Sequence, residues 1–589
     1  MKADDANFLD LLKKMTQFTV PIYQRPYSWG ISECQQLFND IMEAGESGKV
    51  QEHFTGSIVY IDSRQGTISS EEPRLIIDGQ QRVATLTLLL AALAKTLEEN
   101  PGIEGDSVTE FSAKKIRSYY LLNPVEEEDS GKYHKLELSR KDRQTLFDII
   151  DGNETPEASR SQQLIDNYEF FLGKLSDAAT INTVCAGIKK LVVVDVNLTL
   201  GIDNPQKVFE SMNSTGKKLS QTDLIRNFVL MDLPRPAQNR IFNTAWKPME
   251  DLFEGETEDE FDSFVRRYLV MKTGSIPTKS AVYEAFRSYT LRERGMGSVE
   301  NDTKEAVSDL YKYAKYYSAI AFGTEKDADL RERFTELVAL RATVSYPLIL
   351  RCYDDWVSGT ITKDMLLEIV GIVISYILRR AVCGIPTNSL DNTFAAVETN
   401  IKTADYLNSI EAKFLNLQSY QRFPDDEEFK RALVSFNLYD FHRKKYFLDK
   451  LENFGMKERT QTDGYTIEHI MPQNPNLSDE WKSELGNDWE QVHDKYLNTL
   501  GNLTLTGYNS EYSDRPFQEK RDMKNYGFRD SPIRLSAGLG QLDHWNAEEI
   551  EKRADMLANK AVKVWPMPVL SDDVLESYAA ATATKRRHV

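Results

Sequence analysis

The sequence predicts an α+β protein of several domains, and three observations carry this prediction. Strand-like and helix-like runs alternate through residues 1–235, apolar positions recur at helical spacing through 236–445, and a strand–strand–helix pattern lies within 446–566. A chain of 589 residues is long enough for roughly two to four domains, each with its own core. We therefore expect a mixed α/β domain, a helical coupling region, a compact C-terminal domain and a flexible tail over 567–589.

The first domain contains four runs whose composition favours β-strands. β-branched, aromatic and other apolar residues dominate each run, and polar or Gly-containing stretches separate the runs. Ser32–Met42 is amphipathic at helical spacing, and Ser220 with Asp223 forms a capping box that predicts another helix start. The predicted strands are Phe18–Ile22, Phe54–Asp62, Arg74–Asp78 and Leu191–Leu200.

The segment Asp78-Gly79-Gln80-Gln81-Arg82 joins the third of these strands to a helix that runs to about Leu97. Free backbone N–H groups and the positive dipole end at such a helix start favour an anion. Arg82 can grip a phosphate at two points, and Asp78 can hold a metal or orient water. The chain has no Walker P-loop motif. On these five residues alone, a nucleotide phosphate site and an ordinary capped helix both stay open.

A dense mixture of aromatic and polar residues, Tyr23-Gln24-Arg25-Pro26-Tyr27-Ser28-Trp29, follows the first predicted strand. Aromatic faces stack on nucleic-acid bases, and Arg or Gln side chains bind base edges or phosphates. This pattern predicts a segment that senses DNA through Tyr23, Gln24, Arg25, Tyr27 and Trp29. A packed turn with Tyr27 and Trp29 in the core is an equal alternative.

The loop that begins Asn213-Ser-Thr-Gly-Lys-Lys218 is polar and cationic. Such a loop suits contact with phosphate, and we assign Asn213 to the predicted nucleotide site. A plain surface turn would have a similar composition.

The chain is helical in pattern for some two hundred residues after Pro236. No catalytic cluster occurs there, and Leu378–Arg380 is predicted to be a salt-bridged helix face rather than a DNA-binding surface. We expect this region to couple the first domain to the last.

The C-terminal domain carries an ordered set of polar residues. Tyr465–Ile470 is β-like and is stopped by Pro472, which places His469 at a strand end, where its imidazole can act as a general base in hydrolysis. A second strand is predicted over Leu503–Thr506. Asn502 lies at its start and is expected to orient the His469 ring or the loop, because an amide cannot act as a base.

The same domain offers a site for a divalent metal. Glu468 and Asn509 supply the oxygen ligands that Mg²⁺ prefers, and the metal would stabilise charge on a phosphate. Pro516 favours a helix over Phe517–Asn525 that presents Lys520. A lone Glu-His pair is usually decoration. The whole ordered set predicts catalysis by His469, Asn502, Asn509 and Lys520, whereas His493 and His544 are predicted to be structural.

Composition narrows the class of protein. The chain is 41% apolar and 10% aromatic, which is typical of a globular fold, and its four scattered cysteines suit a reducing cytosol. We expect no signal peptide, no membrane contact and a cytoplasmic location. The formal net charge of −19 disfavours tight non-specific DNA binding. A local basic surface is expected around the C-terminal motif, at Lys495, Arg515, Lys520, Arg521, Lys524, Arg529 and Arg534.

Two resemblances follow from these motifs. The C-terminal order of acid plus His, Asn, Asn and Lys resembles the HNH branch of the ββα-metal (His-Me finger) nucleases. Many members hold this finger with zinc and Cys-x-x-Cys pairs, but no cysteine lies in this segment, so its own core and neighbouring helices must support it. The N-terminal motifs are Tyr23–Trp29, His53–Ser57, Ile77–Arg82 and Phe209–Ser220, and they resemble the GmrSD-like type IV restriction enzymes, including single-chain fusions.

The GmrSD resemblance spans about Val20 to Pro566 and implies a fold and a function. It implies a ParB/sulfiredoxin-like domain that binds and hydrolyses a nucleotide, ATP or GTP, at Asp78–Arg82. It also implies an HNH domain that cuts double-stranded modified DNA, such as hydroxymethylated or glucosylated phage DNA, with Mg²⁺ or Mn²⁺. A nucleotide-gated regulator with an inert finger and an RNase are the alternatives. The oligomeric state is left open, with a homodimer as one option.

Overall fold

A computed structural model of the chain describes residues 2–49, 51–62, 73–103, 108–199, 202–212, 219–257, 259–293 and 298–578, and each structural statement below concerns these residues. The loop predicted around Asn213 lies outside them. Backbone contacts divide the chain into two compact units, Met1–Asp251 with Ser280–Asp309 and Leu252–Lys279 with Leu310–Val589. The domain limits predicted from the sequence are not tested by this division and stay a prediction.

Unit 1 is built on a mixed six-stranded sheet. Its strands are β1 Lys2–Asn7, β2 Phe18–Thr19, β3 His53–Asp62, β4 Arg74–Asp78, β5 Leu136–Glu137 and β6 Leu191–Thr199. Their order across the sheet is β1-β6-β3-β4-β2-β5. The β1–β6 and β3–β4 pairs are antiparallel, and the other three pairs are parallel. The four predicted strands are confirmed as β2, β3, β4 and β6, although β2 is shorter than expected.

Helices cover this sheet. Through residue 251 they are α1 Phe8–Lys14, α2 Ile31–Glu46, α3 Gln80–Glu99, α4 Ala113–Ile116, α5 Arg140–Asp151, α6 Gln162–Lys174, α7 Ala178–Lys189, α8 Pro205–Met212, α9 Gln221–Leu230, α10 Arg235–Ile241 and α11 Lys247–Asp251. Helix α3 is the centre of the core, because its side chains from Val83 to Ala94 are all buried. It begins at Gly79, whose φ of 90° lets the chain turn from β4 directly into the helix.

The chain after residue 251 is mainly helical, as predicted. Its helices are α12 Glu260–Thr273, α13 Val282–Glu293, α14 Val299–Ala321, α15 Ala328–Ala339, α16 Tyr346–Val357, α17 Lys363–Val382, α18 Leu390–Glu398, α19 Tyr406–Leu415, α20 Asp426–Ser435, α21 Lys444–Asn453, α22 Asp479–Leu485, α23 Trp489–Tyr496, α24 Asn509–Tyr512, α25 Phe517–Asp522 and α26 Ala547–Val564. Helix α25 ends three residues before the predicted limit. None of the described helices is long and apolar enough to cross a membrane.

Of the salt-bridged helix face predicted at Leu378–Arg380, the structure shows one ion pair, and both arginines are buried. Arg379 and Arg380 are buried, and their guanidinium groups donate to main-chain carbonyls such as those of Trp565 and Tyr420. Only Arg379 also meets an acid, Asp426, at 2.7 Å. These arginines therefore join backbone segments inside unit 2 and do not form a solvent-facing charged surface.

Within unit 2, two short strands form a two-stranded antiparallel sheet. Strand β7 is Thr466–His469 and β8 is Leu503–Thr506, and His469 pairs with Leu503 at the end of the ladder. Both strands and the position of His469 agree with the sequence prediction. The β7–β8 sheet packs on an apolar core without cysteine. This core comprises Ile470, Met471, Leu477, Trp481, Leu485, Tyr496, Tyr512, Phe517, Phe528, Leu539, Trp545 and Ile550. The β7–β8 sheet is therefore supported by apolar residues and helices of unit 2, as expected for a segment without cysteine.

Candidate functional site

Glu468 and Lys520 form a buried ion pair at the end of the β7–β8 sheet. The Lys520 ammonium donates to Glu468 Oε1 at 2.7 Å and to the main-chain carbonyls of His469 and Ile470 at 3.1 and 3.2 Å. The two side chains are 0% and 3% exposed. Burial raises the pKa of Glu468 and lowers the pKa of Lys520, and their mutual attraction opposes both shifts. All three ammonium N–H groups of Lys520 thus have acceptors.

His469 follows Glu468 in the strand but has different neighbours, since successive side chains of a strand alternate in direction. Its Nε2 lies 3.0 Å from the side-chain oxygen of Asn498. The Tyr439 ring meets the imidazole edge to face, with 4.4 Å between centroids. Burial lowers the pKa of His469 to about 4, so the imidazole is neutral at pH 7.

Asn502 holds the loop after β7 and not the imidazole. Its amide nitrogen donates to the carbonyls of Met471 and Leu497, and its oxygen accepts from the Met471 N–H and the Trp545 indole. The side chain is fully buried and makes four hydrogen bonds, to three residues. Of the two tasks expected for Asn502, the structure gives it the fixing of the loop. A direct part in catalysis stays a prediction.

Asn509 is anchored to the two strand residues that precede Glu468. Its amide nitrogen donates to the Ile467 carbonyl at 3.0 Å and to the Thr466 hydroxyl at 3.2 Å. Within the described residues, no hydrogen bond reaches the side-chain oxygen of Asn509 or the second carboxylate oxygen of Glu468. Each residue therefore keeps one oxygen for another ligand.

These two oxygens fit a magnesium-like cation by donor type. Mg²⁺ is commonly held by one or two protein oxygens and completes its shell with water and substrate phosphate. The described residues contain no group of three or more His, Cys, Asp or Glu side chains that could hold a metal by themselves. Glu468 and Asn509 would therefore make a site that is completed by phosphate, and not a closed structural site.

The basic surface expected around the motif is largely neutralised. Lys520 is buried in its ion pair, and four of the other predicted cations lie within 4 Å of acids. These pairs are Lys495–Glu551, Arg515–Glu519, Arg521–Asp543 and Arg529–Asp522. The sequence indicated the cations correctly but not the acids that fold against them.

In unit 1, the glutamines of the Asp78–Arg82 segment hold the Tyr23–Trp29 segment. Gln81 accepts from the Ser28 N–H at 2.8 Å and donates to the Pro26 carbonyl at 3.1 Å. Gln80 donates to the side-chain oxygen of Gln24 at 3.2 Å. Two motifs that the sequence assigned to separate tasks are therefore one hydrogen-bonded structure.

Burial limits what the Tyr23–Trp29 segment can touch. Tyr23, Gln24 and Tyr27 are buried, and the Tyr27 hydroxyl lies 2.6 Å from that of Thr85. These three side chains follow the packed-turn alternative, because a DNA base cannot stack on a buried ring. Arg25 and Trp29 are partly exposed. A role of the segment in sensing DNA stays a prediction, and these two residues are the ones placed to perform it.

Arg82 lies against the bulged part of β3. Its Nη1 donates to the Ser57 carbonyl at 2.8 Å. Burial lowers the pKa of Arg82 and raises the pKa of Asp78, and the opposite charges of the two groups oppose these shifts. Asp78, Gly79 and Arg82 are all partly exposed, so a ligand can reach this end of α3.

Sequence reasoning missed Asn498 and Tyr439. Asn498 lies 29 residues after His469, and the main-chain carbonyl of Asn498 also accepts from the Leu438 and Tyr439 N–H groups. A polar residue close before the Gly501-Asn502-Leu-Thr-Leu motif was the only signal available. Contact with the imidazole depends on tertiary structure that no local pattern describes.

Comparison with known families identifies two domains in this chain. Residues 8–230 match the family described as GmrSD restriction endonuclease, N-terminal domain, and residues 423–560 match GmrSD restriction endonucleases, C-terminal domain. No curated protein matches the chain. The two matched domains define a restriction endonuclease, an enzyme whose partner is DNA. The chain belongs to the GmrSD-like type IV restriction enzymes, as the motifs indicated.

Proposed function

We propose that this enzyme is an HNH-type, metal-dependent nuclease that cuts modified phage DNA under the control of a nucleotide. The observation that carries the nuclease part is the strand end at which His469, held by Asn498, follows the Glu468–Lys520 pair. The modified-DNA preference and the nucleotide are supported by the family and by the open end of α3 at Asp78 and Arg82.

His469 is the general base of this proposal. Because the Asn498 side-chain oxygen can only accept, Nε2 of His469 carries the proton and Nδ1 keeps its lone pair. Nδ1 takes a proton from water, the water oxygen attacks phosphorus, and the bond from phosphorus to the leaving oxygen breaks. Asn498 and Tyr439 hold the ring in one orientation, which lowers the entropic cost of reaching the reactive geometry.

A divalent metal would be held by Glu468 and Asn509 and would stabilise negative charge on the phosphate and leaving oxygen. Lys520 lowers the pKa of Glu468 against the effect of burial, which favours the carboxylate form, and fixes the loop through the His469 and Ile470 carbonyls. Asn502 fixes the same loop from its other side. In unit 1, Arg82 binds nucleotide phosphate.

Cleavage of modified against unmodified phage DNA, with and without Mg²⁺ and with ATP or GTP, tests the whole proposal. We expect cutting of modified DNA that requires metal and depends on nucleotide. His469→Ala should remove cleavage and leave nucleotide hydrolysis intact. His544→Ala is the matched control, because His544 is exposed and its ring pairs with Glu484 at the surface. Cutting by His469→Ala at the wild-type rate would refute the assigned base, and equal cutting of both DNAs would refute the modification preference.

A further inference from the structure

A small cavity of about 220 Å³ lies beside Arg82 in unit 1. Residues of three sequence motifs line this cavity. Trp29 belongs to the Tyr23–Trp29 segment, Phe54 lies in β3, and Arg82 lies at the start of α3. Helix α2 supplies Asp40 and Glu33.

The bulge in β3 brings the Arg82 guanidinium to this cavity. The pairing of β3 with β6 shifts register between Phe54 and Ser57, and Gly56 between them has φ of +110°. A Cβ at Gly56 would lie 2.6 Å from Arg82 Nη2 and 2.7 Å from Cζ, so the guanidinium occupies the space that a side chain would take. The strand irregularity and the glycine together make room for a cation at the cavity wall.

An exposed aromatic residue, Phe54, also lines this cavity. Phe54 exposes 62% of its surface, whereas most phenylalanines of this chain are buried. Trp29 is partly exposed and lines the cavity as well. An exposed aromatic face beside an arginine suits a planar ring that carries phosphate, because the ring stacks and the guanidinium pairs with the anion.

Hydrogen-bond acceptors line the cavity from helix α2. Glu33 and Asp40 are seven residues apart, two helical turns, and so share a face. One oxygen of Glu33 already accepts from the Gly30 N–H at 2.8 Å. Within the described residues, no ion pair or hydrogen bond reaches the Asp40 carboxylate. A carboxylate that accepts two bonds favours a base with two adjacent N–H donors, as on the edge of guanine.

We propose that this cavity binds the base of the regulatory nucleotide, with Phe54 stacking on the ring, Asp40 accepting from a guanine edge and Arg82 meeting the phosphates. This inference rests on the proposed nucleotide binding and deepens it. It gives Phe54 and Asp40 a task that the sequence motifs did not assign.

Calorimetric titration of the full chain with GTP, ATP and inorganic triphosphate tests this inference. Phe54→Ala should weaken GTP binding about tenfold or more, as loss of a stacking partner does, and leave triphosphate binding unchanged. Phe54→Tyr should retain wild-type GTP affinity. Asp40→Asn should weaken GTP binding more than ATP binding. Tyr420→Ala removes a similarly exposed ring in unit 2 and is the matched control.

The outcomes separate the two levels of the hypothesis. Wild-type GTP affinity in Phe54→Ala would overturn the base site and leave nucleotide binding intact. Equal losses of GTP and triphosphate affinity would also overturn it, because Phe54 would then act on the fold. If the wild-type chain binds none of the three probes, the proposed nucleotide control fails together with this inference.

Discussion

The two candidate sites each place a cation beside a carboxylate, but one pair is closed and the other is open. Lys520 and Glu468 are in direct contact at 2.7 Å, and all three N–H groups of the lysine are used by the protein. Arg82 donates to the Ser57 carbonyl and lines a cavity, and it acts on Asp78 only through its charge. The closed pair fixes a loop, whereas the open pair keeps capacity for a ligand.

This difference shows why residue type alone is a weak guide to role. A buried ammonium with three acceptors orders the backbone around the predicted base, and its removal should cost stability. A partly exposed guanidinium with an open neighbour contributes little to the fold, and its removal should cost binding. Replacing each cation by alanine therefore distinguishes the two pairs. The change at Lys520 should lower stability, and the change at Arg82 should lower ligand affinity.

The largest expected effect is on the closed pair. Lys520→Ala leaves the Glu468 carboxylate buried without a cation, so we expect the free energy of unfolding of this part of the chain to fall by about 3–5 kcal/mol. Urea denaturation followed by tryptophan fluorescence measures it, because Trp481 and Trp545 lie in the same core. Lys524→Ala, at an exposed position, should change it by less than about 0.5 kcal/mol. A similar small change for Lys520 would show that the pair is not structural.

The next effect tests how tightly the closed region is packed. At Gly501 a Cβ would lie 2.3 Å from the Ile550 carbonyl oxygen, and that atom belongs to the backbone of α26 and cannot turn away. We expect Gly501→Ala to lower the free energy of unfolding by about 1–3 kcal/mol. Gly464 has nothing within 4 Å of its added Cβ, so Gly464→Ala is the control in the same urea experiment. Equal stabilities of the two variants would contradict the close approach.

Local composition was enough to predict several elements and insufficient for others. The runs that form β3, β4 and β6 are rich in β-branched residues. Strands β7 and β8 were predicted from Pro472, which ends the first, and from the alternation of apolar and polar residues in the second. Strand β1 reads Lys-Ala-Asp-Asp-Ala-Asn, which has no strand-forming residue. It forms because the edge of β6 offers hydrogen-bond partners, and such tertiary context overrides local preference.

The sites show the same limit. The order of Glu468, His469, Asn502 and Lys520 predicted one cluster, but not that lysine and glutamate would pair across 52 positions. The imidazole partner Asn498 was missed for the same reason. In unit 1, Gln81 was assigned to the nucleotide, while the structure engages it with Ser28 and Pro26. Residue types revealed the chemistry available, and packing decided which groups were already used.

A smaller effect is expected at the open pair. Arg82→Ala removes the guanidinium from the cavity, so we expect nucleotide affinity to fall about tenfold while the unfolding midpoint moves little. Titration calorimetry with GTP and ATP, paired with thermal unfolding, separates these results. Lys95→Ala, on the exposed side of the same helix, is the matched control. Unchanged affinity would remove Arg82 from the nucleotide site, and a large loss of stability would make this pair resemble the closed one.

The smallest expected effect is on the pH dependence of stability, and it concerns Glu411, a buried carboxylate. Burial, with a smaller contribution from Glu368, raises the pKa of Glu411 to about 7 from its usual 4.5. Between these pH values the folded chain holds a proton that the unfolded chain releases, so this group's contribution to stability falls as pH rises from about 4.5 through about 7 and then levels off. Glu411→Gln should differ least from wild type near pH 4 and exceed it by roughly 1–2 kcal/mol near pH 8, after allowance for solvent screening.

Urea denaturation at the two pH values measures this difference between variant and wild type. Glu490→Gln, at an exposed position, should give no pH-dependent difference and serves as the control. No gain for Glu411→Gln at pH 8 would mean that solvent or a rearrangement already relieves this carboxylate. A gain there beside a loss in Lys520→Ala would show that burial destabilises a carboxylate unless a cation is packed against it.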